Sequence, residues 1–199
     1  MPALRADIGL RNALRDTMAI GAALVQEALE GPFRQRLLAE IEGGPFEALP
    51  ERSGRMDVRQ QADCFVVRDD MGSYPLVREL RDELVSRLRE QAGAMPGVPA
   101  WVPSQASVQR YAPGSLGVSP HLDGRHFRYL VAVFTLEGAA SFAVCADRTG
   151  TVLRQWETLP GSLVLMRAPG LAGNEDGRPL HTVTGPRKGR RTSLTYRMG

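Results

Sequence analysis

What this chain lacks narrows its class. No apolar run approaches the ~18 residues that a membrane-crossing helix needs, so no span is expected. The opening stretch, MPALRADIGLRN, has no apolar segment of leader length near a cleavage site. A reducing, cytoplasmic setting is the expectation that follows. Cysteine is scarce: Cys64 and Cys145 are the two present, too few for a disulfide framework and wrongly spaced for a zinc knuckle. Both lie in apolar runs, CFVV and SFAVCA, and read as buried structural thiols. There is no internal repeat and no low-complexity tract. Charge of either sign is in modest excess at most: the net charge is +3, which permits an anionic or nucleic-acid partner without arguing for one. Histidine is rare too. Of three, His121 and His126 fall close together and His181 stands alone.

What is present suits one compact domain. The 199 residues are 43% hydrophobic, enough to bury a core without disulfides. Residues 1–100 read as mainly helical and 101–199 as strand-rich. Ile8, Leu10, Leu14, Met18, Ala22, Val25 and Leu29 recur mostly at steps of four, the mark of one apolar helix face. A short helix begins near Pro32 and ends at Gly43 and Gly44. FEALPERSGR reads as a loop and CFVVRD as an early strand. Leu76, Leu80, Leu84, Val85 and Leu88 mark another helix. After Trp101 come short β-rich runs: ASVQRY, RYLVAVFTL, SFAVCA, TVLRQWETL, SLVLMR, HTVTG and RTSLTYRM. Strands at this spacing predict an all-β sandwich or barrel, with the helices buttressing one face.

Within the strand-rich half, His121 and Asp123 are two residues apart. On an extended strand such residues share a face and can reach one metal ion. A histidine from a distant strand completes a facial set of two imidazoles and one carboxylate, and His181, opening HTVTG, is the candidate. Alone, the H-x-D pair is a weak signal, and two ordinary polar residues at a strand end are its commoner meaning. A further signal lies near the end of the chain. Arg191 follows His181 by ten positions, and Arg191, Ser193, Thr195 and Arg197 alternate on one face of an expected strand. Two arginines facing inward are costly to bury unless an anion meets them, and a dicarboxylate would satisfy both forks. The alternative is an exposed basic strand, as PRKGR and Arg190 suggest. Tyr111, one strand and one glycine-rich turn before His121, can offer its phenol to a carboxylate or serve as strand filler.

Together these residues resemble the iron(II)/2-oxoglutarate-dependent oxygenases, in motif pattern most nearly the AlkB-related branch, over residues 105–198. QRYAPGSLGVSPHLD resembles that branch's N-x-Y stretch leading into H-x-D. LPGSLVLMRAPG resembles the strand before its distal histidine, and RTSLTYR resembles its R-x-N-L-T-F-R finish. The resemblance implies an α+β protein: a double-stranded β-helix (jelly-roll, cupin-like) core with N-terminal buttressing helices. It implies His121, Asp123 and His181 as ligands of Fe(II), and Arg191 on the distal carboxylate of 2-oxoglutarate, with Tyr111, Ser193 and Gln109 beside it. It implies Arg197 near the other carboxylate. Gln109 and Ser193 stand where AlkB relatives have asparagine, and both keep hydrogen-bonding capacity. Gly124, Arg125 and His126 stand where those relatives usually carry another acidic residue for the damaged base.

The function so implied consumes 2-oxoglutarate and O2, gives succinate and CO2, and hydroxylates a C–H bond of a small molecule or protein side chain. The alternatives are an AlkB-like oxidative demethylase of nucleic acid, not favoured, and a non-catalytic β-helix binding module. Arg125 is expected to line the substrate mouth. His126 is expected to point away from Asp123 and not to be a ligand. Trp101 and Trp156 are assigned no role. The polar loop 168–180 is expected to be either a flap over the site or a plain surface connection.

Overall fold

The computed structural model describes residues 1–54, 57–68 and 71–199. Arg55, the end of the expected loop, and Asp69, the end of the expected strand CFVVRD, lie outside the described residues. The first half contains α1 (Leu10–Ile20), β1 (Ala22–Val25), α2 (Gly31–Glu42), β2 (Glu47–Ala48), β3 (Arg52–Ser53), β4 (Val58–Gln61), β5 (Asp63–Arg68) and α3 (Pro75–Ala92). The second half contains β6 (Gln105–Tyr111), β7 (Gly117–His121), β8 (Leu130–Glu137), β9 (Ala140–Cys145), β10 (Val152–Thr158), β11 (Leu163–Arg167), β12 (His181–Thr184) and β13 (Arg191–Arg197).

The first helix is shorter than its apolar spacing suggests. Gly21 takes a left-handed conformation (φ +90°) and caps α1 by donating its N–H to Thr17 O at 2.9 Å. Any side chain at Gly21 would also strike Pro179, whose Cβ lies 2.8 Å from where a Cβ would stand. Ala22 and Val25 therefore belong to β1, paired with β11 in the register Ala22↔Met166, and Leu29 lies beyond it. Tertiary pairing has overridden a spacing of four that continued by coincidence. Helices α2 and α3 begin with Pro32 and Pro75 in their first turns, where a missing N–H leaves no bond unmade. Glu40 of α2 accepts the free N–H groups of Leu76 (2.9 Å) and Val77 (3.1 Å), so one helix caps the next.

The strands form two antiparallel sheets. One has the order β1-β11-β8-β13-β6-β5-β2, the other β10-β9-β12-β7-β4-β3. Strands β6 to β13 divide between the two, four in each, alternating except for the β9–β10 hairpin within the second, which is the double-stranded β-helix. Strands from the first half extend both sheets, so that half is not a separate helical cap. Helices α1 and α2 pack on the outer face of the seven-stranded sheet. Period-two alternation explains the layering. Leu130, Ala132, Phe134 and Leu136 of β8, Leu163 and Leu165 of β11, and Leu194 and Tyr196 of β13 join the helices in the main core. Their neighbours Val131, Val164 and Met166 turn the other way and meet Phe142 and Val144 of the second sheet. The inner faces of both sheets thus enclose the space in which the polar residues of β13 must lie.

Candidate functional site

Between the sheets is a cavity of about 460 Å³, a volume usual for small-molecule sites. Its lining includes His121, Asp123, His181, Gln109, Tyr111, Arg191, Ser193, Thr195 and Arg197. Every ligand, cosubstrate and strand-face residue expected from the sequence is brought to one place.

The two histidines face each other across adjacent strands. His121 ends β7, His181 begins β12, and they are paired in register, with ring centroids 4.2 Å apart. His121 Nδ1 lies 2.9 Å from Ser119 O, and His181 Nδ1 lies 3.0 Å from Pro179 O. A carbonyl oxygen only accepts, so each Nδ1 carries the hydrogen and each Nε2 keeps its lone pair. This is the arrangement by which a protein orients an imidazole toward a metal. Burial pushes His181 down to about 4, aided by His121 and opposed by Asp123. Burial lowers His121 as well, against the pull of Asp123. Both rings are neutral at pH 7.

Asp123 does not share a strand with His121. β7 ends at His121, and Asp123 lies in the following loop, yet its side chain still turns into the cavity. Burial would raise its carboxyl, but it is held below the usual range, with the charge and hydrogen bond of Arg197 leading the opposition. Arg197 Nη2 lies 3.1 Å from Oδ1, and His181 Nε2 lies 4.0 Å from Oδ2.

These donors fit a divalent metal in kind: two neutral imidazoles with free Nε2 atoms and an ionised carboxylate. Among the described residues no three such side chains stand close enough together to form a ready-closed metal cluster. Donors ~2.1 Å from one ion and at right angles are ~3 Å apart. The 4.0 Å gap from Asp123 to His181 is thus wider by about one ångström, a side-chain adjustment.

The other end of the cavity holds a buried cation. On β13, Arg191 and Ser193 are paired in register with Tyr111 and Gln109 of β6. Arg191 is 2% exposed, and its Nη2 reaches Thr135 Oγ1 at 3.4 Å. Its Nε is buried with no hydrogen-bond partner, and among the described residues no carboxylate pairs with it. Its guanidinium lies 5.3 Å from the Tyr111 ring centre. The Tyr111 hydroxyl donates to Gln109 Oε1 at 3.1 Å. Burial raises the Tyr111 phenol, against the pull of Arg191, so it stays protonated and able to donate. A buried guanidinium of this kind calls for an anion. Arg190, by contrast, lies outside, bonded to Glu137 (2.9 Å) and Glu42 (3.1 Å). Arg197 contacts Asp123 and donates to Ser107 Oγ at 2.9 Å, so it stands near the ligand end, and its Nε has no partner.

The other residues singled out in the sequence lie outside the cavity lining. Arg125 does not border the cavity: the chain turns away after Asp123, and Arg125 is exposed beside a separate depression with Arg128 and Glu175. His126 is exposed and packs on Phe127, ring centroids 4.0 Å apart, away from any ligand position. No residue of 168–180 lines the cavity, so the loop does not act as a flap in this structure. Arg167 ties it down, donating to Gly177 O at 2.6 Å. Trp101 is a core residue whose Nε1 donates to Leu130 O at 2.8 Å. Cys145 is buried and Cys64 half-buried, both as free thiols.

Some lining residues escaped the sequence reading. Arg148, in the turn after β9, borders the cavity. Asp147 beside it is engaged instead by Thr149 and Thr151, accepting the Thr149 N–H at 2.8 Å. Gln60, Ser53 and Val58 arrive from β3 and β4. No local sequence pattern marked them.

The low proton affinity of the histidines has a consequence for stability. An unfolded histidine titrates near 6.5, the folded His181 near 4. As pH falls through 6.5 the unfolded chain takes up protons that the folded chain refuses, so stability falls until about pH 4. His181 alone contributes up to about 3 kcal/mol of this loss, and His121 acts in the same sense. Urea midpoints of the metal-free protein should drop between pH 6.5 and 4, and less steeply in His181→Gln. Equal slopes would contradict this.

The fold has solved counterparts. No protein-family model matches the sequence, and no curated protein matches it. The structure is similar to a Pseudomonas putida prolyl-4-hydroxylase (TM-score 0.64, 19% identity, covering 95% of this chain and 98% of that one). It is similar to a Trichoplax adhaerens prolyl hydroxylase solved with a peptide of a hypoxia-inducible factor (TM-score 0.63, 14% identity, 95% and 89% covered). It is similar as well to an oxidoreductase of the 2OG-Fe(II) oxygenase family from Burkholderia pseudomallei (TM-score 0.63, 14% identity, 96% and 91% covered). At these identities the likeness establishes the fold.

Proposed function

We propose that the protein is an iron(II)- and 2-oxoglutarate-dependent oxygenase that hydroxylates a C–H bond of a small molecule or a protein side chain. One observation carries this: a single cavity holds two imidazoles with free Nε2 atoms beside an ionised carboxylate, and also a buried arginine that no carboxylate among the described residues answers. His121, Asp123 and His181 would hold iron(II). Arg191 would take the distal carboxylate of 2-oxoglutarate, with Tyr111 and Ser193 donating beside it. When bound, the metal, 2-oxoglutarate and O2 supply the C–H oxidation together with decarboxylation to succinate and CO2. The chain's own part is to orient and to exclude water: Val118, Val133, Phe142 and Met166 give the cavity apolar walls. The prolyl hydroxylases that share this fold support the protein side-chain half of the reading. Oxidative demethylation of nucleic acid rests on the AlkB-like motif pattern alone, and no contact in the structure favours it. A non-catalytic module would have no use for a complete ligand and arginine set.

The test is succinate formation from 2-oxoglutarate in air, with and without iron(II), in the presence of candidate substrates. Succinate is expected only with iron(II), and is expected to rise above background with a peptide or small-molecule substrate. Methylated oligonucleotides should give little stimulation. Strong succinate and formaldehyde release with methylated DNA or RNA would promote the demethylase reading.

A further inference from the structure

Two of the three candidate metal ligands are held by one short segment. Pro179 O takes the Nδ1 hydrogen of His181 at 3.0 Å. The residue before it, Arg178, crosses to the other ligand loop and donates Nη1 to the backbone oxygen of Asp123 at 2.6 Å. The guanidinium cannot swing freely. Its Nε and Nη2 fork onto Asp176 Oδ1 (2.9 Å) and Oδ2 (2.7 Å), the bidentate geometry that fixes an arginine plane. Asp176 in turn accepts the N–H groups of Gly177 (2.7 Å) and Arg178 (3.1 Å), so the acid sits in its own tight turn. Arg167 anchors that turn to the helical layer, donating to Gly177 O at 2.6 Å and to Met18 O at 2.9 Å.

Asp123 has need of such a hold. The pairing of β7 ends at His121, so the sheet ladder does not fix the Asp123 carbonyl. Arg197 grips the carboxylate from inside the cavity, and Arg178 grips the backbone of the same residue. Neither Arg178 nor Asp176 lines the cavity, so neither is placed to touch substrate or cosubstrate.

We propose that Arg178, clamped by Asp176, is a positioning residue that sets the Asp123 carboxylate against His181. It acts from the same segment whose Pro179 carbonyl orients the His181 ring. The pair therefore couples the loop 174–180 to the geometry of the metal-binding face. This inference rests on the reading of His121, Asp123 and His181 as metal ligands.

Cobalt(II) is the probe, because its visible absorption reports the ligand set without any turnover. Wild type, Arg178→Ala, Arg178→Lys, Asp176→Asn and Asp123→Ala are titrated with cobalt(II), and the far-ultraviolet circular dichroism of each metal-free protein reports folding. Arg178→Ala should bind cobalt(II) about 10–100-fold more weakly than wild type, the range for lost support behind a ligand. Its spectrum should shift toward that of Asp123→Ala. Arg178→Lys keeps one donor for the Asp123 carbonyl and should recover part of the affinity. Asp176→Asn keeps the shape of the turn but loosens the clamp, and should fall between. Should Arg178→Ala fail to fold, Asp176→Asn and Arg178→Lys carry the same comparison. Wild-type affinity and spectrum in folded Arg178→Ala and Asp176→Asn would overturn the positioning role while leaving the metal site intact. Failure of wild type to bind cobalt(II) would overturn the metal reading, and the positioning role with it.

Discussion

The His121→Ala/His181→Ala double variant is expected to bind no iron(II), while the wild type takes up about one ion per chain. Each ring presents one free Nε2 to the cavity, with its Nδ1 tied to a backbone carbonyl. Losing both leaves Asp123 as the remaining candidate donor, and one carboxylate already held by Arg197 cannot fill a facial triad. Each single variant should lose most of the affinity. His181 is 4% exposed, and its ring stacks on Phe142 with centroids 5.5 Å apart, so alanine there also removes packing. His181→Gln keeps much of that volume and separates lost ligation from lost packing. Iron content after anaerobic loading and desalting is the measurement. Full iron affinity in the folded double variant would refute the site.

Arg191→Ala should weaken 2-oxoglutarate binding by about 2–5 kcal/mol, the usual loss when one partner of a buried charged pair is removed. That is roughly thirtyfold to several-thousandfold in affinity. Arg190→Ala provides the contrast. Arg190 is 39% exposed in its side chain and is answered by Glu42 and Glu137 at the surface, so its loss should change binding by about 0–1 kcal/mol. Calorimetric titration of 2-oxoglutarate into metal-loaded protein reads both. Equal losses at the two positions would mean that the cosubstrate does not meet the inner face of β13.

The contrast between these neighbours was legible in the sequence because a strand alternates. Arg191, Ser193, Thr195 and Arg197 share a parity, and Leu194 and Tyr196 take the other, so placing the apolar residues in the core places the arginines in the cavity. The H-x-D pair was legible in content though not in geometry: Asp123 reaches the cavity from a loop, where strand parity has no force. The sequence placed His121 at a strand end but left the rest of β7 out of the β-rich runs, because Gly117 and Pro120 read as turn residues, yet Gly117 is at home there. Its φ is +79°, and a side chain would collide with Val183 O on β12. The first helix was overextended because Ala22 and Val25 kept its spacing while belonging to a sheet. Strands β2 and β3 have two residues each, too short for any pattern. Arg148 and Arg178 were illegible as participants, since their positions depend on turns that place distant chain segments side by side.

The register His181↔His121 makes the candidate site a sensor of its own sheet. Side-chain direction in a strand reverses with every residue, so a slip of one position between β7 and β12 would turn one ring out of the cavity and leave the other alone. An ion shared by both rings would act as a staple across these strands. It would favour the folded state by mass action, by about 4 kcal/mol at a thousandfold excess over its dissociation constant. Metal supply would then govern how long the protein persists in a cell, because a chain deprived of the ion opens more often to proteases.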